Sequence, residues 1–274
     1  MIQSLVFHSN AELLEGPVFD KSNELLYFVS ILDCLVYCYN PKTKEISSLK
    51  LDSPVSCIYV LNRKKVLAAS KDGFFEIDFN NLKKEFRFQI NIGDSVRYND
   101  GIKDPIGRLI IGTMGYPDVI EKIGKVYSYH NGQDKVIIDK TTISNGLAFS
   151  QDNKFLYFID TPTKKVAKYF YDLKTGDVKF DSYVIEFKDK GNPDGMCINN
   201  DGMLWIAEWG GGCISKWNPS NGRKLEEIKL PCVNVTSCCF DNFSNLYVTT
   251  AKNDNNNDIY GGGLYYINLN KKLN

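Results

Sequence analysis

The sequence feature that most constrains the fold is a sixfold internal repeat. Each repeat has a short first segment, a turn rich in Asp, Asn, Lys and Gly, an apolar strand, and a further strand rich in aromatic residues. The first segments centre near residues 18, 57, 101, 147, 196 and 239, at intervals of about 40–50 residues. One four-stranded propeller blade has this length. The repeat therefore predicts an all-β chain, a six-bladed β-propeller of four-stranded antiparallel blades.

The six apolar strands are predicted at 24–30, 65–70, 108–113, 154–160, 203–208 and 245–250. Val, Ile, Tyr and Phe fill them, as half-buried pleated strands require, and the polar breaks between them supply hairpin turns. No segment keeps a 3.6-residue apolar period, so long helices are not expected. A pair of β-sandwiches is the alternative architecture, but the sixfold spacing favours the propeller.

The first candidate strand, residues 3–7, precedes the first repeat and has no blade of its own. We expect it to complete the last blade beside residues 263–269, which would close the ring and remove an exposed sheet edge. The chain contains no linker, so residues 1–274 are predicted to form one propeller domain.

Composition argues against several classes of partner. Lys and Arg together number 33, as do Asp and Glu, so no net field favours nucleic acid or an anionic membrane. The amino-terminal segment lacks the features of a signal peptide, and no apolar run is long enough to span a bilayer. We therefore expect a cytoplasmic protein, a monomer or weak homo-oligomer, whose eight cysteines are reduced thiols.

Histidine is scarce, which restricts the chemistry. His8 and His130 are the two histidines, and neither lies in a catalytic or metal-binding motif. The sequence has no HExxH zinc motif and no GxSxG nucleophile motif. Any reaction must therefore use carboxylates, amides, Arg, Lys or a metal ion.

Polar residues begin several of the first segments, which in a propeller line the central channel. Glu15, Asn145 and Asp194 stand there in the first, fourth and fifth repeats. Together they offer two carboxylates and one amide oxygen, a ligand set that suits Ca²⁺, Mg²⁺ or Mn²⁺. Each could instead be a simple turn residue, since Asn-Gly and Asp-Gly are common in hairpins. Their matching positions in three repeats favour one divalent-metal site.

The third repeat begins with Arg97 and Asn99, which we expect beside that metal as substrate-binding residues. Arginine binds carbonyl and hydroxyl oxygens through several N–H donors, and asparagine both donates and accepts. The alternative for Arg97 is a salt bridge to a nearby carboxylate such as Asp94 or Asp100. Asp104 and Arg108 are predicted to be a structural pair that braces a turn.

With these residues in place, the sequence resembles the family of regucalcin (senescence marker protein), gluconolactonases and luciferin-regenerating enzymes. The resemblance covers nearly the whole chain, in the family's order. The similar segments are EGPVF at 15–19, RYNDGIKDPIGRLIIGTM at 97–114, ISNGLAFS at 143–150, LYFID at 156–160, YDLKTG at 171–176, PDGMCINNDGMLWIAEWGGG at 193–212, LP at 230–231 and TSCCF at 236–240.

The resemblance implies a six-bladed propeller that hydrolyses sugar lactones. Glu15, Asn145 and Asp194 would hold one axial cation, Ca²⁺ first and otherwise Zn²⁺, Mn²⁺ or Mg²⁺, and Asp194 would also be the general base. Arg97 and Asn99 would bind the lactone. Two alternatives stay open: a calcium-binding regulatory protein without turnover, and a metal-dependent esterase or phosphotriesterase-like hydrolase.

Three positions depart from the family pattern. Phe19 stands where the family usually has Trp, Ala148 stands where an acidic residue often follows SNGL, and Gly-Tyr-Pro-Asp occupies 115–118, where acidic residues near the substrate are expected. The predicted metal ligands are intact, whereas the substrate lid differs, so the sequence leaves the particular lactone open.

Overall fold

The computed structural model describes residues 2–9, 11–253 and 258–270. Within them, 24 strands form six four-stranded antiparallel sheets, each built from strands consecutive in the chain except the one that the amino terminus completes. These sheets are the blades of a six-bladed β-propeller, as the repeat predicts. The chain divides into two compact units of three blades each, residues 1–89 with 229–274 and residues 90–228. Whether the whole chain behaves as one domain stays a prediction.

The first unit contains the first, second and sixth blades. Their strands are β1 (Ile2–His8), β2 (Leu14–Asp20), β3 (Leu25–Ser30), β4 (Leu35–Tyr39), β5 (Ile46–Lys50), β6 (Val55–Asn62), β7 (Lys65–Ser70), β8 (Gly73–Asp78), β9 (Lys83–Phe88), β22 (Asn234–Phe240), β23 (Leu246–Ala251) and β24 (Gly263–Asn268).

The second unit contains the third, fourth and fifth blades. Their strands are β10 (Val96–Lys103), β11 (Leu109–Gly115), β12 (Gly124–His130), β13 (Gln133–Thr141), β14 (Ser144–Phe149), β15 (Phe155–Asp160), β16 (Lys165–Asp172), β17 (Asp177–Glu186), β18 (Asn192–Ile198), β19 (Leu204–Trp209), β20 (Cys213–Asn218) and β21 (Arg223–Lys229), the last of which reaches the boundary between the units.

The second strand of each blade is the apolar strand that the sequence predicts, within one or two residues at each end. β3 and β23 are buried along their whole length, whereas the outermost strands β5 and β9 are largely exposed. Apolar residues that fill both faces of a strand bury it between neighbours, and polar alternation leaves the outer strand at the surface. The core therefore lies along the first three strands of each blade.

The amino-terminal strand completes the sixth blade, as predicted. β1 pairs antiparallel with β24, with Gln3 opposite Ile267 and Phe7 opposite Leu264. The Phe7 ring also lies 5.9 Å from that of Phe28 and 5.4 Å from that of Tyr37, both in the first blade. β1 is thus joined to the last strand by backbone pairing and to the first blade by ring packing.

Helix is confined, among the described residues, to one 3₁₀ turn at Thr161–Thr163. None of the described helical segments is long and apolar enough to cross a membrane. All eight cysteines lie within the described residues as thiols outside any disulfide, five of them buried and three partly buried. The cytoplasmic location expected from the sequence stays a prediction.

The predicted pair of Asp104 and Arg108 is confirmed as structural. Arg108 Nη1 lies 2.8 Å from Asp104 Oδ2, and the two side chains are 7% and 0% exposed. Arg108 also donates to the carbonyls of Leu173 and Lys174, and the Tyr171 hydroxyl donates to Asp104. The pair therefore ties the β10–β11 turn of the third blade to the β16–β17 turn of the fourth.

Candidate metal and substrate site

A β-bulge interrupts the first strand of each blade in the second unit at the same place. In β14 the pairing with β15 passes from Ser144 to Leu147, so Asn145 and Gly146 stand opposite a single residue. The same irregularity in β10 sets Asn99 and Asp100 opposite a single residue, and in β18 it sets Asp194 and Gly195 opposite a single residue. A bulge bends its strand and redirects the side chain of the extra residue. The structure therefore gives Asn99, Asn145 and Asp194 equivalent positions in three successive blades.

Arg97, Asn99 and Asn145 form a hydrogen-bonded chain within this unit. Arg97 Nη1 donates to Asn99 Oδ1 at 2.7 Å and to the Tyr98 carbonyl at 2.9 Å. Asn99 Nδ2 donates to Asn145 Oδ1 at 2.7 Å and to the Ser144 carbonyl at 2.9 Å. The three polar side chains are 6%, 7% and 7% exposed. Hydrogen bonding offsets the cost of burying them, and it holds them in one arrangement.

Asp194 is buried, at 5% exposure, on the strand that packs beside Asn145. Gly146 explains how closely β14 and β18 approach, because a Cβ there would lie 2.7 Å from the Asp194 carbonyl oxygen. Thr161 bridges the same two strands: it accepts from Asn145 Nδ2 at 2.8 Å and donates to the Pro193 carbonyl at 2.8 Å. Asn99, Asn145 and the backbone around Asp194 thus belong to one connected structure.

Glu15 lies in the first unit, near the start of β2, where the sequence places it. It is 9% exposed, and its Oε2 accepts the Gly16 N–H at 2.8 Å. The strand register corrects the predicted equivalence of these three positions. Glu15 still pairs with Val29, and the bulge begins at Gly16. Glu15 therefore stands one residue earlier than Asn145 and Asp194 do in their strands. The glutamate has one more methylene than aspartate or asparagine and so reaches further from its own backbone position.

Sequence reasoning missed the corresponding residues of the other two blades in the first unit. The β6 and β22 bulges place Ser56 and Thr236 at this position, and the two residues are 2% and 0% exposed. Thr236 Oγ1 donates to the Leu14 carbonyl at 2.6 Å, next to Glu15. Neither Ser56 nor Thr236 is followed by glycine, so neither shows a turn signal in the sequence. The alignment of the six repeats was the one sequence clue to them.

A second group of potential ligands, Glu208, Cys213 and Glu227, lies in the fifth blade with its ligand atoms within 4.8 Å of one another. The Lys224 ammonium already lies there, 3.4 Å from Glu208 and 2.9 Å from Glu227. Burial alone would lower the pKa of Lys224, but the carboxylates of Asp189, Glu227 and Glu208 raise it above its ordinary value. The group is therefore part of an ion-pair network around Lys224, in which Glu208 is buried and Glu227 is exposed.

The fold and these residues define a class: six-bladed β-propellers whose first strands carry buried carboxylates and amides. The chain belongs to the SMP-30/gluconolactonase/LRE-like family, whose sequence profile matches residues 13–252. Human regucalcin is 34% identical over 257 residues, covering 90% of this chain and 86% of that protein. The Bacillus subtilis protein YvrE, whose name assigns it provisionally as a sugar lactone lactonase, is 32% identical over 272 residues, covering 95% and 92%.

Solved structures agree with this membership. A luciferin-regenerating enzyme superposes with a TM-score of 0.91 at 26% identity, covering 98% of this chain and 96% of that one. A calcium-binding protein, regucalcin from Agrobacterium tumefaciens, gives a TM-score of 0.89 at 24% identity, covering 96% and 92%. The second likeness supports the fold alone.

Proposed function

We propose that the protein is a divalent-metal-dependent hydrolase that opens sugar lactones. The observation that carries the proposal is the buried chain from Arg97 through Asn99 to Asn145, with Asp194 in the equivalent bulge of the next blade. Buried polar side chains placed alike in successive blades are costly to retain for packing alone. Their occurrence in a member of the gluconolactonase family, with a relative named as a sugar lactone lactonase, favours lactone hydrolysis.

The donor set fits a hard divalent cation. Asn145 Oδ1 is an amide oxygen with two lone pairs, of which Asn99 uses one, and Asp194 and Glu15 supply carboxylates. We propose these three residues as the ligands and Ca²⁺ as the ion, with Zn²⁺, Mn²⁺ and Mg²⁺ as substitutes. When bound, such an ion would polarise the lactone carbonyl and stabilise the negative charge that develops on its oxygen.

The chain's own residues would position the substrate and move the proton. Arg97 donates to hydroxyl or carbonyl oxygens of the sugar lactone, and Asn99 accepts from a lactone hydroxyl at the second lone pair of its oxygen. The contacts of Arg97 Nη1 hold its guanidinium in place beforehand. Asp194 accepts the proton of a water as its oxygen attacks the carbonyl carbon. The ring carbon–oxygen bond then breaks, and the ring oxygen takes up a proton. The product is the open-chain hydroxy acid.

The first prediction concerns Asp194. Asp194→Ala removes both a proposed ligand and the proposed base, so turnover should fall at least about a hundredfold. Release of acid from D-glucono-δ-lactone would be followed on chelator-treated protein resupplied separately with Ca²⁺, Zn²⁺, Mn²⁺ or Mg²⁺. Spontaneous hydrolysis and the exposed-site variant Asp201→Ala are the controls. A rate at the spontaneous background with every metal, on several aldonolactones, would contradict the proposal.

The relatives named regucalcin favour one second candidate, a calcium-binding protein without turnover. Calorimetric titration of Ca²⁺ into wild-type protein and Glu15→Gln separates the two. Ca²⁺ binding that is weaker in Glu15→Gln, together with no lactone turnover, would favour the second candidate.

Turnover of a phosphotriester in place of any lactone would instead favour the phosphotriesterase-like alternative.

A further inference from the structure

The Thr161 hydroxyl lies between two groups of the proposed site. It contacts the Asn145 side-chain amide and the Pro193 carbonyl, each at 2.8 Å. Pro193 immediately precedes Asp194 in β18, and Asn145 belongs to β14. One side chain therefore connects two strands that each supply a proposed ligand.

The chemistry of these groups fixes the direction of both hydrogen bonds. A peptide carbonyl can only accept, so the single hydroxyl proton of Thr161 must point to Pro193. The hydroxyl oxygen is then an acceptor toward Asn145, and the end of the amide that faces it must be the NH₂ group. Asn145 Oδ1 consequently points the other way, toward Asn99.

The opposite end of the chain is fixed by the same reasoning. A guanidinium can only donate, so Arg97 requires an oxygen from Asn99. The NH₂ group of Asn99 then faces the Ser144 carbonyl and Asn145 Oδ1, both of which accept. The hydrogen bonds therefore run in one direction, from Arg97 to Pro193. If either amide rotated by half a turn, a donor would face a donor or an acceptor would face an acceptor.

The Thr161 side chain is itself held by its surroundings. The backbone N–H of Thr161 donates to the Ile143 carbonyl at 3.2 Å. The preceding Asp160 carboxylate accepts the N–H groups of Thr142 and Ile143 at 2.9–3.1 Å. The 3₁₀ turn that begins at Thr161 is thus joined to the segment just before Asn145. The backbone that carries the Thr161 hydroxyl is therefore held in place.

We propose that Thr161 is a positioning residue that orients the Asn145 amide, so that Asn145 offers its oxygen and not its nitrogen to the bound cation. The orientation stands on the hydrogen bonds alone, whereas its consequence for the cation rests on the proposed function. Because a cation accepts oxygen ligands and is repelled by an NH₂ group, loss of the orientation should weaken metal binding.

The test compares three variants in the absence of substrate. Thr161→Val keeps the shape but removes the hydroxyl, Thr161→Ser keeps the hydroxyl, and Thr163→Val removes a hydroxyl of the same turn that contacts Asp160 and Lys165 instead. Mn²⁺ binding is measured by electron paramagnetic resonance on protein whose folding is checked by circular dichroism. We expect about tenfold weaker binding for Thr161→Val, and wild-type binding for the other two.

A second measurement needs no metal. The side-chain NH₂ signals of Asn145, identified by their loss in Asn145→Ala, are followed by NMR during exchange in D₂O. Exchange should be slow in wild type and Thr161→Ser, and at least about tenfold faster in Thr161→Val. Unchanged exchange in Thr161→Val would overturn the orienting role. Faster exchange in a protein that binds no Mn²⁺ would support the orientation and contradict the metal site.

Discussion

Asn99 and Asn145 carry the same side chain but use it differently. Asn99 is held at both ends, since its oxygen accepts from Arg97 and its NH₂ group donates to Ser144 and Asn145. Asn145 donates to Thr161 and accepts once at its oxygen, which has two lone pairs. The direction of the hydrogen bonds therefore suits Asn145 to bind the proposed cation and Asn99 to hold its neighbour, with one lone pair of the Asn99 oxygen left for the proposed substrate.

Asp100, beside Asn99, is a carboxyl whose ionisation the fold opposes. Burial raises the pKa of Asp100 to about 6, although the Gly101 N–H, 2.7 Å away, lowers it in part. In the unfolded chain this carboxyl ionises near pH 3.9. Between about pH 4 and pH 6 the folded state therefore binds more protons than the unfolded state. Stability must then fall as the pH rises through this window, and the contribution is constant above it.

The prediction at this position is that Asp100→Asn removes that part of the pH dependence. The midpoint of urea unfolding should fall between pH 4.5 and pH 6.5 in wild-type protein, and should fall less in Asp100→Asn, by about the effect of one carboxyl. Parallel profiles for the two proteins would show that the Asp100 carboxyl ionises alike in the folded and unfolded states.

At the scale of elements, a bulge in the first strand of the blade places each residue of the second unit that we propose for the site, except Arg97. β10, β14 and β18 each pair regularly with the second strand of their blade on both sides of the irregularity. Without the bulge, side chains would alternate strictly between the two faces of the sheet. The extra residue removes one side chain from this alternation in each blade, and the apolar residues that follow keep their buried face.

The Asp104–Arg108 pair is the element-scale connection with the largest expected effect on stability. Burial would raise the pKa of Asp104, but hydrogen bonds from Tyr171 and Arg108 outweigh it and lower the pKa below its ordinary value. Asp104→Asn would leave the buried guanidinium without its anion, which should cost about 3 kcal/mol of the free energy of unfolding. Urea unfolding at pH 7 measures the loss.

Asp177→Asn is the matched control for that prediction. Asp177 pairs with Lys135 at 2.6 Å, but the two side chains are 66% and 41% exposed. Solvent screens such a pair, so its loss should cost less than about 1 kcal/mol. Equal effects of the two substitutions would contradict the structural role given to Asp104.

At the scale of the whole molecule, the pairing of β1 with β24 joins the two ends of the chain. Removal of residues 2–8 would leave β24 as an unpaired edge and would expose the rings that pack against Phe7. The deletion should cost about 4 kcal/mol or more and lower the melting temperature by roughly 10 °C. Circular dichroism measures the melting temperature, and size-exclusion chromatography detects association through the new edge.

Leu5→Ala is the control for the deletion, because Leu5 lies on the same strand with 40% of its surface exposed. The substitution keeps the backbone pairing and should change stability by less than about 1 kcal/mol. A deletion variant that melts at the wild-type temperature would show that the sixth blade is stable with three strands.

The sequence by itself determined the fold class, the apolar strands and the candidate residues of the site. Alternation, turn residues and repeat length act locally, so Lys65–Ser70 could be read as a strand from its own residues, and the unpaired strand at residues 3–7 implied closure of the last blade. Glu15, Asn145 and Asp194 were found in the same way, by their positions in the repeat. Their joint role as metal ligands stays a prediction.

Only the tertiary structure decided how those residues are held. Thr161 lies 16 residues from Asn145 in the sequence and 32 from Pro193, and no local pattern indicates that its hydroxyl joins them. The one-residue offset of Glu15 depends on the register of β2 against β3. Hydrogen-bond direction and strand register arise from atoms that folding brings together from distant parts of the chain. The sequence therefore names the residues, and the packing of the strands decides which atom each one presents.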